Sequence, residues 1–262
     1  MTSGKAARRQ RQAAVARPPV RSTGGRKANP WVLGGTLAAL AAIVAIVVIV
    51  LAVTGGNGSS SGTATGTPLP DAATIQKQFA GIPQQGNVLG KATAPATLVE
   101  YIDLQCPVCR EYATSVMPTL IDRYVRTGKL KVIARPVTVI GPDSERGRRA
   151  MIAAFAQNRG FNFSQLLYFN QGPENGGWLD DSMVADAAAS IPGVHVKQLQ
   201  DASGSKAVAD QATQFDHQAQ ADQLAGTPTI LVGKSGARLT NLGAGIPSIG
   251  TLSGLIDKAQ QS

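Results

Sequence analysis

The apolar residues of this chain form three kinds of pattern, and each kind predicts a different element. One uninterrupted apolar run covers residues 31–53 and contains no charged side chain. Shorter runs rich in β-branched residues at 97–103 and 130–140 predict strands, the second of them bulged at Pro136. From about 143 to 224 apolar residues recur almost entirely at helical spacing. This order predicts an α/β fold whose strand–helix–strand and strand–strand–helix parts are separated by a helical insertion at about 143–224.

Shorter patterns supply the remaining elements. Strands are also predicted at 87–89, 229–232 and 237–242, the last two joined by the turn Gly-Lys-Ser-Gly. Helices are predicted at 71–79, 110–126, 143–158, 162–170, 180–190, 196–225 and 248–260. The sequence contains no internal repeat.

The positive charge of the chain is concentrated at its beginning. The 262 residues carry a formal net charge of +9, from 25 basic and 16 acidic side chains. Residues 1–30 contain eight of the basic side chains and no acidic one, which leaves 17 basic and 16 acidic residues for the rest. The folded body is therefore close to neutral, and nothing in its charge indicates a nucleic-acid-binding face.

The apolar run at 31–53 is long enough to cross the roughly 30 Å hydrocarbon core of a bilayer as a helix. We predict a single transmembrane helix that anchors the chain in a cell membrane, and the resemblance described below implies that this membrane is bacterial. The basic tail 1–30 is then cytoplasmic, and everything after residue 53 is extracytoplasmic. A cleavable signal peptide is the alternative interpretation, although its apolar region is usually only about 7–15 residues long.

A segment rich in Gly, Ser, Thr and Pro follows the apolar run, and it has nothing from which to build a core. We assign a flexible linker to 54–75 and the folded domain to 76–262. The linker keeps the domain near the membrane and leaves it free to turn toward different partners.

The two cysteines of the chain are separated by two residues, in the sequence Cys106-Pro107-Val108-Cys109. Such a pair is either a redox couple or half of a metal site. It follows a predicted strand and precedes a predicted helix, and the positive end of a helix dipole stabilises a thiolate. Zinc needs four ligands, and the only histidines are the distant His195 and His217, so we predict no metal site. The expected redox group is the Cys106–Cys109 disulfide itself, with no other cofactor.

Two motifs of this chain are similar to those of a known family. One is the run VLGKATAPATLVEYIDLQCPVC at 88–109, and the other is AGTPT at 225–229. Together they resemble the membrane-anchored, DsbA-like thiol:disulfide oxidoreductases of the thioredoxin superfamily, over roughly residues 79–262. The resemblance implies a thioredoxin-like fold with a helical insertion, preceded by a single transmembrane helix, and the activity of a protein disulfide oxidoreductase.

The resemblance also implies roles for individual residues. Cys106 is expected to be the exposed nucleophile, with a pKa lowered from about 8.5 into the range of roughly 3.5–7.5, and Cys109 the resolving thiol. Pro107 and Val108 are expected to face the substrate, although an apolar Val108 side chain offers no hydrogen bond to the thiolate. Thr227 and Pro228 are expected to form a cis-proline loop whose main chain pairs with an extended peptide. The alternative for this loop is an ordinary turn before a strand.

Two acidic residues lie just before the cysteines. Glu100 sits in an apolar strand, at a position where the family often has a buried acid that relays a proton to or from the resolving cysteine. A buried carboxylate has a raised pKa and serves as an acid or base near neutral pH. The alternative is a glutamate at the edge of the strand that faces water. Asp103 is expected to cap the loop before the cysteines.

These observations predict an extracytoplasmic enzyme that exchanges disulfides with exported proteins, principally as a dithiol oxidase. A membrane redox partner would have to reoxidise it. A membrane-tethered disulfide reductase is the alternative enzyme, and an isomerase is disfavoured because no dimerisation domain is evident. A non-catalytic thioredoxin-fold module that binds peptides, with Cys106–Cys109 as a static bridge, is the alternative from another class.

Overall fold

A mixed sheet of six strands lies at the centre of the computed structural model, which describes residues 68–261. The order across the sheet is β1-β2-β4-β3-β5-β6, and only β3 and β4 run parallel. The strands are β1 Gln84–Gln85, β2 Val88–Leu89, β3 Ala96–Ile102, β4 Leu130–Pro136, β5 Thr229–Lys234 and β6 Thr240–Ala244. All described residues belong to one folded unit.

Strand β3 is central, and its position explains its composition. All seven of its residues are buried, because β4 and β5 flank it and both faces of the sheet are covered at this point. Strand β4 alternates between buried and partly buried residues and ends at Pro136, so the predicted strand 130–140 is too long. The bulge predicted at Pro136 is wrong as well, since Pro136 pairs in register with Ile102. A proline is tolerated at residue 136 because β3 takes its next hydrogen bond from the N–H of Val137, which donates to the Ile102 carbonyl at 2.9 Å.

The helix that follows β3, called α2 here, is continuous over residues 107–125 but is not a regular α-helix. It begins with the α-helical segment Pro107–Glu111, passes through a π-helical turn, Tyr112–Val116, and returns to α-helix at Met117–Leu120. A second π-helical turn, Ile121–Val125, completes it.

Pro118 accounts for the first π-helical turn of α2. Its ring removes one backbone N–H and crowds the preceding turn of the helix, and a wider turn relieves both problems. The N–H of Met117 consequently reaches back to the carbonyl of Tyr112. The carbonyl of Ala113, left over by this shift, accepts a hydrogen bond of 2.8 Å from the Gln165 side chain.

Five helices lie between β4 and β5, where the sequence predicts the helical insertion. They are α3 Pro142–Ala156, α4 Gly160–Phe169, α5 Asp181–Ala189, α6 Val196–Ser203 and α7 Lys206–Ala221. The helix predicted over 196–225 is in fact two helices. Ser205 starts the second one, because its hydroxyl accepts a hydrogen bond from the Val208 N–H at 3.3 Å.

Two helices outside the insertion complete the folded unit. Helix α1, Ala72–Phe79, buries Ile75 and Phe79 and occupies the last residues of the range 54–75 that we assigned to the linker. The folded part therefore begins before residue 76. Helix α8, Ile249–Gln261, ends the described chain and packs its buried face on β5 and β3.

The predicted membrane-related segments fall outside the described residues. The tail 1–30, the apolar run 31–53 and the linker as far as residue 67 are not described. Within residues 68–261, no helix combines the length and the apolar character needed to cross a bilayer.

Candidate active site

The two cysteines lie at the start of α2, in the segment that follows β3. Cys106 is the N-cap of α2, with an extended backbone conformation, and Pro107 takes the first helical position. The Sγ atom of Cys106 accepts a hydrogen bond from the N–H of Cys109 at 3.4 Å. A proline suits this position because the first N–H of a helix has no partner inside the helix. The first free N–H groups of α2 therefore point at the Cys106 sulfur.

The loop before β5 reaches the same sulfur from the opposite side. The peptide bond between Thr227 and Pro228 is cis, and the carbonyl oxygen of Thr227 lies 3.3 Å from the Sγ atom of Cys106. Two further hydrogen bonds fix this loop: the hydroxyl of Thr229 donates to the Gly226 carbonyl at 2.7 Å, and the N–H of Gly245 donates to the Pro228 carbonyl at 2.8 Å. The fold thus brings together residues that are 121 positions apart.

The surroundings shift the pKa values of the two thiols in opposite directions. The pKa of Cys106 is lowered from 9.0 to about 6, chiefly by a hydrogen bond from the Cys109 side chain and further by the backbone N–H groups of Cys109 and Val108. Burial opposes this effect but does not cancel it. Burial raises the pKa of Cys109 well above its ordinary value, and the neighbouring Cys106 raises it further. At neutral pH the pair therefore holds one thiolate and one thiol.

The reactive sulfur is less accessible than the sequence predicts. Cys106 is only 4% exposed, so its description as an exposed residue is wrong, while Cys109 is fully buried. The exposed residues are Pro107 and Val108, which form the surface beside the sulfur. Among residues 68–261, Val108 and Val139 are the large apolar side chains that are exposed, at 42% and 50%. Val139 belongs to the loop after β4, and its N–H donates to the Asp103 side chain, which also accepts the N–H of Gln105 just before Cys106.

Glu100 is buried, so the alternative of a glutamate at the edge of the strand that faces water is wrong. It is 4% exposed, and burial raises its pKa from 4.5 to about 8, although a hydrogen bond with the Tyr112 side chain opposes the rise. Its Oε2 atom has no hydrogen-bond partner. A cavity of about 10 Å³, room for about one water molecule, lies beside it. The carboxyl group is consequently neutral over most of the physiological pH range.

Two tyrosines that sequence reasoning missed border this cavity. Tyr112 comes from the π-helical turn of α2 and Tyr168 from α4, and both are buried. Burial raises the pKa of each phenol, and the charges of Glu100 and Cys109 raise both further. Glu100 and Cys109 therefore lie within electrostatic range of the same two phenols. The sequence offered one signal, Pro118, which distorts the helix just after Tyr112.

Asp103 caps the loop before the cysteines, as the sequence predicts. Its side chain is fully buried and accepts three backbone hydrogen bonds, from Gln105 at 2.9 Å, Val139 at 2.7 Å and Ile140 at 2.9 Å. Its own carbonyl accepts the N–H of Cys106 at 3.0 Å. A buried carboxylate with several N–H donors holds a loop firmly. It therefore fixes the backbone that leads into Cys106.

The histidines lie away from this arrangement. His195 and His217 are exposed residues of the helical insertion, the first just before α6 and the second on α7. Within the described range 68–261, no three or more His, Cys, Asp or Glu side chains are grouped so that they could hold a metal ion. The reactive groups of the site described above are its two sulfur atoms and the buried carboxyl group of Glu100.

Comparison with known sequences finds relatives concerned with disulfide bonds. The profile of a family described as Thioredoxin matches residues 84–241. A protein named "Probable disulfide bond formation protein D" from Bacillus cereus is 30% identical over 159 residues, which cover 60% of this chain and 73% of that protein. "Disulfide bond formation protein D" from Bacillus subtilis is 25% identical over 164 residues, 62% of this chain and 72% of that protein.

Solved structures resemble this fold over most of their own length. Oxidised BdbD from Bacillus subtilis superposes with a TM-score of 0.61 at 21% identity, covering 69% of this chain and 98% of that chain. An α-DsbA1 from Wolbachia pipientis gives a TM-score of 0.57 at 18% identity, covering 67% of this chain and 90% of that chain. These likenesses support the thioredoxin-like fold with a helical insertion that the sequence predicts.

Proposed function

Because this chain belongs to the thioredoxin family and is a DsbA-like protein disulfide oxidoreductase, we propose that Cys106 and Cys109 are the thiols with which it exchanges disulfides. The observation that carries this assignment is the unequal pair itself. Cys106 has a pKa of about 6 at the start of α2, whereas the pKa of the buried Cys109 is raised. Thiol–disulfide exchange needs an ionised attacking or leaving sulfur and a second thiol held in reserve.

The reaction begins from the Cys106–Cys109 disulfide. A substrate thiolate attacks the Sγ atom of Cys106, a new S–S bond forms, and the electron pair of the old bond passes to the Sγ atom of Cys109. A second substrate thiolate then attacks the substrate sulfur of this mixed disulfide and expels Cys106 as a thiolate. The substrate gains one disulfide, and the enzyme is left with two reduced cysteines. The low pKa of Cys106 makes it the better leaving group in the second step.

Glu100 is the proposed proton donor for Cys109. When Cys109 leaves the disulfide it is a buried thiolate whose pKa is raised, so it needs a proton at once. Glu100 is buried in the same part of the fold and, with a pKa of about 8, carries a proton at neutral pH. General acid catalysis works best when the pKa of the donor is near the working pH. In the reverse direction the same carboxylate accepts the proton from Cys109.

Substrate binding is assigned to the loops around the sulfur. The main chain of Thr227, beside the cis bond, borders Cys106 and offers backbone groups to an extended peptide. The exposed side chains of Val108 and Val139 offer apolar contact to the same segment. Backbone pairing with limited side-chain contact favours substrates that are extended and varied in sequence.

Oxidation of dithiols is the direction we favour. A thiolate stabilised in the reduced form makes the corresponding disulfide a stronger oxidant, and the Cys106 thiolate is stabilised by α2 and Cys109. The names of the relatives, which refer to disulfide bond formation, agree with this direction. A disulfide reductase remains the alternative, and a redox titration separates the two, since a potential near the roughly −270 mV of thioredoxin contradicts the oxidase.

The cellular setting belongs to the same proposal. The apolar run 31–53 anchors the chain in the cell membrane, the basic tail 1–30 stays in the cytoplasm, and the oxidoreductase acts on exported proteins outside. A membrane redox partner reoxidises the Cys106–Cys109 pair after each turnover. A thiol reagent that cannot cross membranes should label the reduced enzyme in intact cells, and failure to label it until the cells are opened would contradict this location.

The decisive experiment for the function traps the mixed disulfide. Cys109→Ala should accumulate covalent complexes between Cys106 and its substrates, visible on non-reducing gels and released by reductant. Cys106→Ser in the same background is the matched control and should form none. If Cys106→Ser oxidises a reduced dithiol peptide as fast as the unchanged protein, the catalytic assignment fails and the peptide-binding module gains support.

A further inference from the structure

Two backbone groups contact the Cys106 sulfur. Its Sγ atom lies 3.4 Å from the backbone nitrogen of Cys109 and 3.3 Å from the Thr227 carbonyl oxygen. Hydrogen bonds weaken steeply once distance or angle leaves the favourable range. A small rotation of the Cys106 backbone is therefore enough to separate the sulfur from the N–H group at the start of α2. Whatever fixes the backbone before α2 also fixes this interaction.

The side chain of Gln171 holds that backbone from the helical insertion. Gln171 follows the end of α4, and its Nε2 atom donates hydrogen bonds to the carbonyl of Leu104 at 2.9 Å and to the carbonyl of Cys106 at 3.2 Å. The two carbonyls lie on either side of Gln105. One amide thus bridges the peptide group that enters Gln105 and the peptide group that joins Cys106 to Pro107.

The side chain of Gln105 is fixed by the insertion as well. Gln105 is fully buried, and its amide nitrogen lies 3.0 Å from the hydroxyl of Ser144 and 3.3 Å from the Oδ1 atom of Asn175. Its Oε1 atom accepts the N–H of Asn175 at 2.8 Å. The insertion therefore forms hydrogen bonds with the side chain of Gln105 and, through Gln171, with the backbone next to Gln105. None of these groups touches the reacting sulfur atoms.

We propose that Gln171 is a positioning residue, whose amide keeps the Cys106 backbone in the one orientation that holds its sulfur against the N–H groups of α2. The proposal rests on the proposed function of Cys106 and deepens it. It gives the helical insertion a part in the chemistry: two donated hydrogen bonds link the insertion to the backbone carbonyls of Leu104 and Cys106. Loss of these bonds leaves the Cys106 backbone held at its N–H by the Asp103 carbonyl and at its carbonyl by the Arg110 N–H, both at 3.0 Å, but removes the link to the insertion.

The test compares Gln171 with its neighbour in the full-length chain. Gln171→Met keeps the volume of the side chain and removes both donated hydrogen bonds. Asn170→Leu is the matched control, because the Asn170 amide also donates to two backbone carbonyls, those of Pro70 at 3.1 Å and Leu166 at 2.9 Å, and neither belongs to the site. The rate of alkylation of Cys106 is measured from pH 4 to pH 9 in each protein, together with the disulfide fraction in a glutathione buffer.

We expect Gln171→Met to lower the alkylation rate at pH 5 about threefold, because the titration of Cys106 moves upward by about half a pH unit. The ratio of disulfide to dithiol at a fixed glutathione ratio should rise by a similar factor, since the reduced form is less stabilised. Asn170→Leu should leave both measurements unchanged. Equal curves for Gln171→Met and the unchanged protein would overturn the proposal, and so would equal shifts in the two variants.

A more conservative substitution provides the test if Gln171→Met does not fold. Gln171→Asn retains the amide but shortens the side chain by one methylene group, so neither carbonyl stays within reach, and the same upward shift is expected. An unshifted curve for Gln171→Asn would also overturn the proposal. Failure of the proposed function looks different, because the unchanged protein would then show no thiolate titration near pH 6 and no exchange.

Discussion

Glu100 and Tyr101 are neighbours in strand β3, face opposite sides of the sheet, and have opposite hydrogen-bonding surroundings. Glu100 faces α2 and α4, where its Oε2 atom has no partner. Tyr101 belongs to the smaller apolar cluster on the other face. Its hydroxyl donates to the carboxylate of Asp222 at 2.6 Å and accepts from Arg135 at 2.5 Å. Arg135 also pairs with Asp222 at 3.0 Å.

The contrast separates a polar group that stabilises the fold from one that we propose to serve the reaction. A buried polar network whose members all have partners contributes to stability and rigidity. A buried carboxyl group without a full set of partners destabilises the folded state, and such groups are usually kept for a function. We therefore interpret the Tyr101 side as structural and the Glu100 side as chemical. Four predictions test this division, in order of decreasing effect.

The largest effect concerns the pH dependence of stability. Because the pKa of Glu100 is raised in the folded state, its penalty is nearly absent at pH 4.5 and grows until about pH 8. Glu100→Gln removes the ionisable group, so its stability advantage over the unchanged protein should grow by on the order of 3 kcal/mol between pH 5 and pH 8. Urea unfolding at the two pH values measures it. A constant difference would show that Glu100 is not a neutral buried acid.

The second prediction concerns the rate of the reaction. Glu100→Gln should slow reduction of the Cys106–Cys109 disulfide at pH 6.5 by about 30-fold, because Cys109 loses its proton donor. Tyr101→Phe, one residue further along the strand, is the matched control and should stay within about twofold. Stopped-flow fluorescence with a dithiol reductant measures both rates. Equal slowing in the two variants would mean that the strand, and not the carboxyl group, matters.

The third prediction tests the paired side. Arg135→Met should destabilise the protein by about 1.5 kcal/mol, because Asp222 and the Tyr101 hydroxyl lose a charged partner. The side chains of Arg135 and Asp222 are 18% and 32% exposed, so part of this loss should disappear at high salt. Denaturant unfolding at low and high salt measures it. Altered disulfide exchange in this variant would contradict a purely structural role.

The smallest expected effect is that of Tyr101→Phe. Removal of the hydroxyl deletes one donated and one accepted hydrogen bond but leaves the Arg135–Asp222 pair in place, so a loss of about 1 kcal/mol is expected. Unfolding curves of Tyr101→Phe, Arg135→Met and the double variant also give the coupling between the two residues. Strict additivity of the two losses would argue that they do not form one network.

The sequence predicts the broad fold and the identity of the family better than the details. The buried run of β3 and the helical insertion appear where they are predicted, because long and strongly patterned segments are the most dependable signals. The DsbA-like oxidoreductase expected from the two motifs is confirmed by the relatives. The two-residue strand β1 and the break at Ser205 were missed, because strands this short and single capping residues leave little pattern.

The residues of the site also fall into a group that the sequence predicts and a group that only the structure shows. The motifs point to Cys106, Glu100 and Pro228, and the structure brings Thr227 next to Cys106. Gln171 and Asn175 lie 65 and 70 residues from the groups that they hold, and nothing in their local sequence distinguishes them from other amides. Long-range hydrogen bonds of this kind depend on how the insertion packs against the sheet. Packing of distant elements is what pattern reasoning on one sequence does not provide.

The burial of the reactive sulfur limits when, during the folding of a substrate protein, the exchange can take place. Cys106 is only 4% exposed and is bordered by Pro107 and Val108. A substrate thiol can therefore reach it only from an extended segment that fits against the surface beside these two residues. A cysteine already locked inside a finished structure cannot make that approach. The enzyme would then select unfolded substrate proteins, and would cease to act on each of them as soon as its folding is complete.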